Sequence, residues 1–324
     1  MDPTRFRAAL AAGVPVVIDG GLATQLEARG HDLSDRLWSA RLLVEAPEAV
    51  TDAHLAFYRA GARLATTASY QATFEGFAAL GLDHAASAGL LRRSVELAAG
   101  ARRLAEAEDA ALGRPAVVRF VAASVGPYGA MLADGSEYRG RYGLTVAALR
   151  DFHRERLAVL AGTDADVLAV ETIPEVEEVA AVAELLDQLD GAAAWISVTC
   201  ADGARLRSGA PVEEAAAAAA GHPSVLALGV NCTAPEHAEE VAGRLHVASG
   251  LPVVVYPNSG EGWDAVNRRW TGSVATRIDA PAAHRWIAAG ALLVGGCCRV
   301  TPDQVAAIDA GLRASTPIGP AGSQ

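Results

Sequence analysis

Eight short apolar runs, each followed by a stretch with helical spacing or by a long loop, set the strongest limit on how this 324-residue chain can fold. The runs cover 16–21, 63–70, 119–127, 166–172, 194–200, 226–232, 253–260 and 291–298. They are near-continuous in Val, Ile, Leu and Ala, as strands buried on both faces are. The helical stretches cover 47–60, 84–107, 146–161, 175–189, 211–220, 235–247, 281–289 and 302–314. Several open on a proline suited to the first helical turn, as Pro235 and Pro302 do. Eight strand–helix units predict an α/β fold, a (β/α)8 TIM barrel, with a doubly wound open sheet as the alternative. A chain of this length, 51% hydrophobic, can bury such a core. No linker divides it, so residues 1–314 are expected to form one barrel domain. The Pro/Gly/Ser-rich end, 315–324, is expected to be a disordered tail.

Two insertions interrupt the rhythm. One, 126–143, is rich in Gly and Tyr and follows the third run; the other, 259–273, carries Trp263 and Trp270 and follows the seventh. Both follow strand C-termini, the face where barrels build active sites. Loops of that length are more often functional than idle. The two tryptophans read as hydrophobic anchors of their loop in preference to lid residues.

Charge and composition exclude several classes. A net charge of −11 argues against a nucleic-acid partner. All 27 basic residues are arginine, so lysine Schiff-base chemistry is excluded. The start, Met1-Asp-Pro-Thr-Arg-Phe-Arg7, lacks the apolar core of a signal peptide, and no apolar run is long enough to cross a membrane. The four cysteines are too sparse for a secreted disulfide scaffold. A reducing cytoplasm suits free thiols, so a cytoplasmic location is expected. The sequence does not set the oligomeric state.

Three thiols carry the chemistry. Cys297 and Cys298 close the eighth run, and Cys232 closes the sixth. One buried cysteine would be a small hydrophobe. Three at two strand ends on one barrel face make a thiolate cup suited to Zn²⁺, whose catalytic sites keep three protein ligands and an open fourth position. Adjacent strand residues point to opposite faces, so the chain must turn for both Cys297 and Cys298 to reach one ion. Gly295-Gly296 is expected to supply that freedom. Cys200 closes the fifth run on the same face, apart from these three. The eight histidines form no His-x₃-His pair and read as surface or core residues.

Gly295-Gly-Cys-Cys298, Gly229-Val-Asn-Cys232 and Ile18-Asp-Gly-Gly-Leu-Ala-Thr24 together resemble the zinc-dependent homocysteine S-methyltransferases. The resemblance extends through Thr67-Ala-Ser-Tyr-Gln71, Ser124-Val-Gly-Pro-Tyr-Gly129, Ala133-Asp-Gly-Ser-Glu-Tyr-Arg-Gly140, Glu171-Thr172 and Val255-Tyr-Pro-Asn-Ser-Gly260, covering about 14–312. It is closest to the single-domain type that uses S-methylmethionine or S-adenosylmethionine. The resemblance implies an enzyme of methionine biosynthesis in which a sulfonium donor methylates the homocysteine thiol. It implies Zn²⁺ on Cys232, Cys297 and Cys298, with no catalytic group beyond the zinc-activated substrate thiolate. It further implies that Asp19 and Glu171 hold the homocysteine ammonium, with Thr67 near the amino-acid moiety. Asn231 is a candidate to orient the substrate or a thiolate. Asn258 is the candidate fourth ligand of the resting metal, with water as the alternative. Thr172 stands where some members carry a tyrosine that serves instead.

Other readings are a betaine-type homocysteine or selenohomocysteine methyltransferase, and a non-catalytic zinc or redox-sensing barrel. The two carboxylates and two long active-face loops argue against the barrel without turnover. A zinc hydrolase would normally use histidine or carboxylate ligands and an activated water.

Overall fold

The computed structural model describes residues 1–33, 38–264, 269–271 and 278–315. Ten strands occur in it: β1 (Val16–Val17), β2 (Leu64–Thr66), β3 (Phe120–Val125), β4 (Val167–Ile173), β5 (Ala194–Val198), β6 (Val225–Asn231), β7 (Val253–Tyr256), β8 (Gly262–Asp264), β9 (Arg269–Thr271) and β10 (Ala291–Val294). Eight of them form one sheet in the order β1-β10-β7-β6-β5-β4-β3-β2. Every pairing in that sheet is parallel. A parallel bridge between Ile18 and Leu64 joins its two edges. The protein is a (β/α)8 TIM barrel, as the eight-unit rhythm predicts.

Burial explains why the strands read as unbroken apolar runs. In β3, Phe120 and Ala122 pack into the barrel interior, whereas Val121, Ala123 and Val125 pack against the surrounding helices. Both faces are covered, so alternation disappears from the sequence. The helices follow the expected stretches closely; Val146–Ala161 has the expected bounds. Side-chain caps fix several starts: Asp83 accepts from Ala86 N, Thr145 from Ala148 N and Asp279 from Ala282 N.

The structure corrects several expectations. The barrel strands are shorter than the apolar runs. β1, β2 and β10 end at Val17, Thr66 and Val294, so the rest of each run leaves the ladder and turns over the C-terminal mouth. A helix at Thr4–Ala11 has no counterpart among the predicted elements. Its buried Phe6 plugs the opposite end of the barrel, edge-on to Phe120 at 5.5 Å and tilted against Trp195 at 6.2 Å. Ala9 and Leu10 of the same helix pack against the same interior cluster. Short helices at Leu22–Ala28 and Phe74–Ala78 also escaped the pattern.

Both insertions contain local structure. The first holds a helix, Tyr128–Leu132, and a 3₁₀ turn, Ser136–Tyr138. The second holds the antiparallel β8–β9 pair, with Trp263 opposite Trp270. The side chains of those tryptophans, and the tail 316–324, lie outside the described residues. Among the described residues, no helix is long and apolar enough to cross a membrane.

Candidate active site and metal centre

A cleft of about 630 Å³ opens at the C-terminal mouth of the barrel. Cys232, Cys297 and Cys298 line it, and their sulfurs all lie within 4.8 Å of one another. Cys232 Sγ is 2.8 Å from Cys297 Sγ, which is 3.9 Å from Cys298 Sγ. Among the described residues no other three His, Cys, Asp or Glu side chains gather so tightly.

Backbone geometry brings the vicinal pair together, by a route other than the one expected. Gly295 and Gly296 do not adopt positive φ; Arg299 does, at 68°. The chain leaves β10, Cys297 N donates to Pro257 O at 2.8 Å, and Val300 N returns to Cys297 O at 3.2 Å. Both cysteines therefore sit in a turn beyond the strand, where the strand's alternation no longer applies. The glycines serve close approach instead. A Cβ on Gly295 would lie 2.7 Å from Asp19 O, and one on Gly296 would strike the Val300 side chain. Cys232 itself has φ 46° and Thr172 has φ 65°. Non-glycine residues rarely hold that conformation, and such strain gathers at functional sites.

Asn231 links these parts. Its Nδ2 donates to Thr172 Oγ1 at 2.8 Å and reaches Cys297 Sγ at 3.9 Å, while its Oδ1 accepts from Thr172 N at 2.8 Å. The thiols share protons unequally. Hydrogen bonds from Cys297 and Cys298 hold the Cys232 thiol well below its ordinary range. Those same bonds hold Cys297 and Cys298 up.

Glu171, in β4, faces the same cleft. Ser124 Oγ donates a short hydrogen bond to its Oε1, and Tyr256 also bonds to it. Burial, then the nearby Cys297, pushes this carboxyl up to about 8. Asp19 lies beneath the cleft surface. Thr66 N donates to it at 2.7 Å and Thr66 Oγ1 at 3.1 Å. Burial raises its pKa well above the ordinary value despite those bonds. Thr67 lines the cleft, but its Oγ1 accepts from Ser124 N at 3.0 Å and sits 2.6 Å from Ser69 Oγ.

Two candidates lie apart from the thiols. Asn258 is not on the cleft wall, and its Oδ1 accepts from Gly260 N at 3.0 Å within its own loop. Cys200 is outside the trio; burial pushes its thiol up to about 12. No histidine lines the cleft. Three tyrosines do: Tyr70, Tyr138 and Tyr256. The apolar runs and motifs contain all three, but nothing in their spacing marked them as cleft residues.

The residues present fit a thiophilic divalent ion. Zinc–sulfur bonds of about 2.3 Å place tetrahedral sulfurs about 3.8 Å apart. The cluster brackets that separation and opens on the cleft rather than on a fourth protein ligand.

Comparison with known proteins agrees with the geometry. The sequence model of the homocysteine S-methyltransferase family matches residues 16–312. The homocysteine S-methyltransferase of Escherichia coli (strain K12) is 50% identical over 297 residues, covering 91% of this chain and 94% of that one. A homocysteine S-methyltransferase of Bacillus subtilis (strain 168) is 43% identical over 299 residues, covering 92% and 94%. The crystal structure of the metallated form of the Escherichia coli homocysteine methyltransferase superposes with a TM-score of 0.83 at 48% identity, covering 94% of this chain and 99% of that one.

Proposed function

The chain belongs to the homocysteine S-methyltransferase family and is an enzyme of that class, and we propose that it methylates the thiol of homocysteine from a sulfonium donor, giving methionine, with zinc as its metal. The observation that carries this reading is the gathering of three thiols beside Glu171 in one cleft. Cys232, Cys297 and Cys298 hold the ion. A zinc ion there supplies Lewis acidity that keeps a bound thiol deprotonated near neutral pH.

The chain's own groups do the positioning. Glu171, fixed by Ser124 and Tyr256, accepts the homocysteine ammonium. Its raised pKa reflects a buried carboxylate awaiting a cation, and a bound ammonium lowers it again. Asp19 acts from one layer below. Its carboxyl lies within electrostatic reach of Glu171 and anchors Thr66, which lines the cleft. Thr67 shapes the wall beside the amino-acid moiety. Asn231 holds the Cys297 sulfur in place. For Asn258 to serve the resting ion, its Oδ1 would have to leave Gly260 N.

In the reaction the homocysteine sulfur forms a bond to the donor methyl carbon as that carbon's bond to the sulfonium sulfur breaks. The bonding pair stays with the leaving sulfur, which departs as a neutral thioether. The thiol proton has gone to solvent beforehand, so no general base is needed beside the methyl. Three thiolates around a divalent ion leave the site negative, which favours a cationic donor in a cleft of low dielectric. Betaine is cationic too; the sequence resemblance to sulfonium users ranks it second.

The test is homocysteine with S-methylmethionine, S-adenosylmethionine, betaine or methyltetrahydrofolate, scored for methionine. Methionine from a sulfonium donor supports the reading. Faster turnover with betaine or the folate overturns the donor assignment, and no methionine from any donor overturns the function.

A further inference from the structure

Three buried ionisable side chains that the reaction does not touch lie beneath the first insertion. His153 and Arg156 stand one turn apart on the helix Val146–Ala161. Glu178 is in the first turn of the next helix, Val176–Leu186, where a carboxylate is favoured. His153 and Glu178 are fully buried, and Arg156 is 2% exposed. Arg156 Nη2 is 2.9 Å from His153 Nδ1, and His153 Nε2 is 2.8 Å from Glu178 Oε1.

These contacts fix the protons. A guanidinium only donates, so His153 Nδ1 accepts. The ring therefore carries its proton on Nε2 and donates it to Glu178. A second ring proton would point at Arg156, and burial together with the Arg156 charge lowers the ring's pKa well below its ordinary value. The row is a guanidinium, a neutral imidazole and a carboxylate.

Both charged ends grip one short stretch of backbone, just where the chain leaves β3. Arg156 Nη2 also donates to Gly126 O at 2.5 Å, and Glu178 Oε1 also accepts from Tyr128 N at 2.6 Å. Pro127 between them has no N–H to offer. The stretch lies past the end of β3, so these backbone groups need partners from elsewhere. Neutral side chains could supply them. Instead Glu178 Oε2, Arg156 Nε and Arg156 Nη1 stay buried without hydrogen-bond partners among the described residues. An ion row satisfied only in part adds little stability over an apolar filling. What it does fix is position.

Two cleft residues depend on that position. Gly126 N donates to Tyr70 O at 3.1 Å, and a Cβ on Gly126 would lie 2.6 Å from that oxygen and 2.9 Å from the Tyr70 ring. Gly129 packs as closely on the 3₁₀ turn Ser136–Tyr138, where a Cβ would lie 2.5 Å from Glu137 N. Tyr70 and Tyr138 both line the cleft.

We propose that Arg156, His153 and Glu178 are positioning residues for methyl transfer: they clamp the backbone of Gly126 and Tyr128, and through it set Tyr70 and Tyr138 on the cleft wall. Homocysteine takes the thiol centre and Glu171, so the donor meets the wall that these tyrosines form. The inference rests on the methyl-transfer reading above.

The experiment compares wild type with Arg156→Met, Arg156→Lys and Glu178→Gln, the last of which keeps an acceptor for Tyr128 N and removes the charge. Arg139 and Arg141 are exposed in the insertion and report its hold on the barrel through their cleavage by trypsin under native conditions. Arg156→Met is expected to speed that cleavage about tenfold and to raise the KM for S-methylmethionine by a similar factor, the loss of one charge-assisted bond. Zinc content and calorimetric homocysteine affinity should stay at wild-type values, because the thiols and Glu171 belong to other segments. Nitrogen-15 spectra of labelled histidine should show one ring locked as the Nε2–H tautomer, absent from His153→Gln and no longer locked in Arg156→Met. Arg156→Lys and Glu178→Gln should fall between, and they carry the same readouts if Arg156→Met does not fold. Wild-type cleavage and kinetics in the variants, or zinc, homocysteine binding and turnover all lost together, would overturn the positioning role. A wild type that transfers methyl from no donor overturns the methyl-transfer reading, while proteolysis and the tautomer still decide whether the clamp holds the insertion.

Discussion

The amide of Asn231 stands between a strained backbone and a metal-type sulfur: its Nδ2 is 2.8 Å from Thr172 Oγ1 and 3.9 Å from Cys297 Sγ. Thr172 holds a left-handed φ of 65° and donates its own N–H back to Asn231 Oδ1. The β4 end, the β6 end and the β10 turn are thus joined through one side chain.

Asn231→Ala should therefore loosen the thiol centre without removing a thiol. Metal affinity is expected to fall about tenfold to hundredfold, the usual effect of losing a group that orients a ligand. Competition with a chromophoric zinc chelator measures it. Wild-type affinity in the variant would show that Thr172 and the backbone suffice.

The four cysteines should separate into two kinds. Cys297→Ala is expected to abolish bound zinc and methyl transfer, because two thiols leave the ion short of ligands. Cys200→Ser should retain both. The Cys200 thiol, pushed up to about 12 by burial, stays protonated and inert at pH 8. Metal analysis, with mass-spectrometric mapping of alkylated thiols, tests the pair. Full zinc in Cys297→Ala would refute the assignment of the centre.

Glu171→Gln should raise the KM for homocysteine far more than that for the donor. One charge-assisted hydrogen bond is worth about 1.5–3 kcal/mol. Asp19→Asn should act more weakly on homocysteine and also lower stability, since its carboxylate accepts from Thr66 N and Oγ1. Calorimetry with homocysteine and thermal melting separate the two effects. Normal homocysteine binding by Glu171→Gln would discard the ammonium clamp.

His54 should make the fold sensitive to acid. It is fully buried, neither ring nitrogen has a hydrogen-bond partner, and burial lowers its pKa from 6.5 to about 4. The unfolded chain thus binds a proton at a pH where the folded chain refuses it. The neutral-ring contribution is complete above pH 6.5 and is lost as pH falls towards 4, a change of about 3 kcal/mol at most. Chemical denaturation of wild type and His54→Leu between pH 7 and 4.5 should show a flatter profile in the variant. Parallel profiles would assign the acid sensitivity to other groups.

Much of this architecture was already legible in the chain. The eight apolar runs determined eight buried parallel strands, because a strand covered on both faces must be apolar throughout. Cys232 and the Cys297–Cys298 pair could be assigned to one mouth of the barrel because consecutive βα units place every strand's C-terminal end on the same side. What local pattern could not supply was whatever depends on contact between segments distant in sequence. Gly295 is glycine because Ile18 and Asp19, just past β1, pass against it, and only packing shows that the vicinal cysteines lie beyond β10 rather than on it. Asp19 and Glu171 look equivalent as acidic residues near strand ends. Thr66, 47 residues from Asp19, draws one beneath the surface, while Ser124 and Tyr256 hold the other in the cleft. The Arg207 guanidinium likewise reaches the Tyr138 ring only when two loops pack together, because charge is a property of each residue but the unpaired state of its Nε is a property of the neighbourhood that buries it.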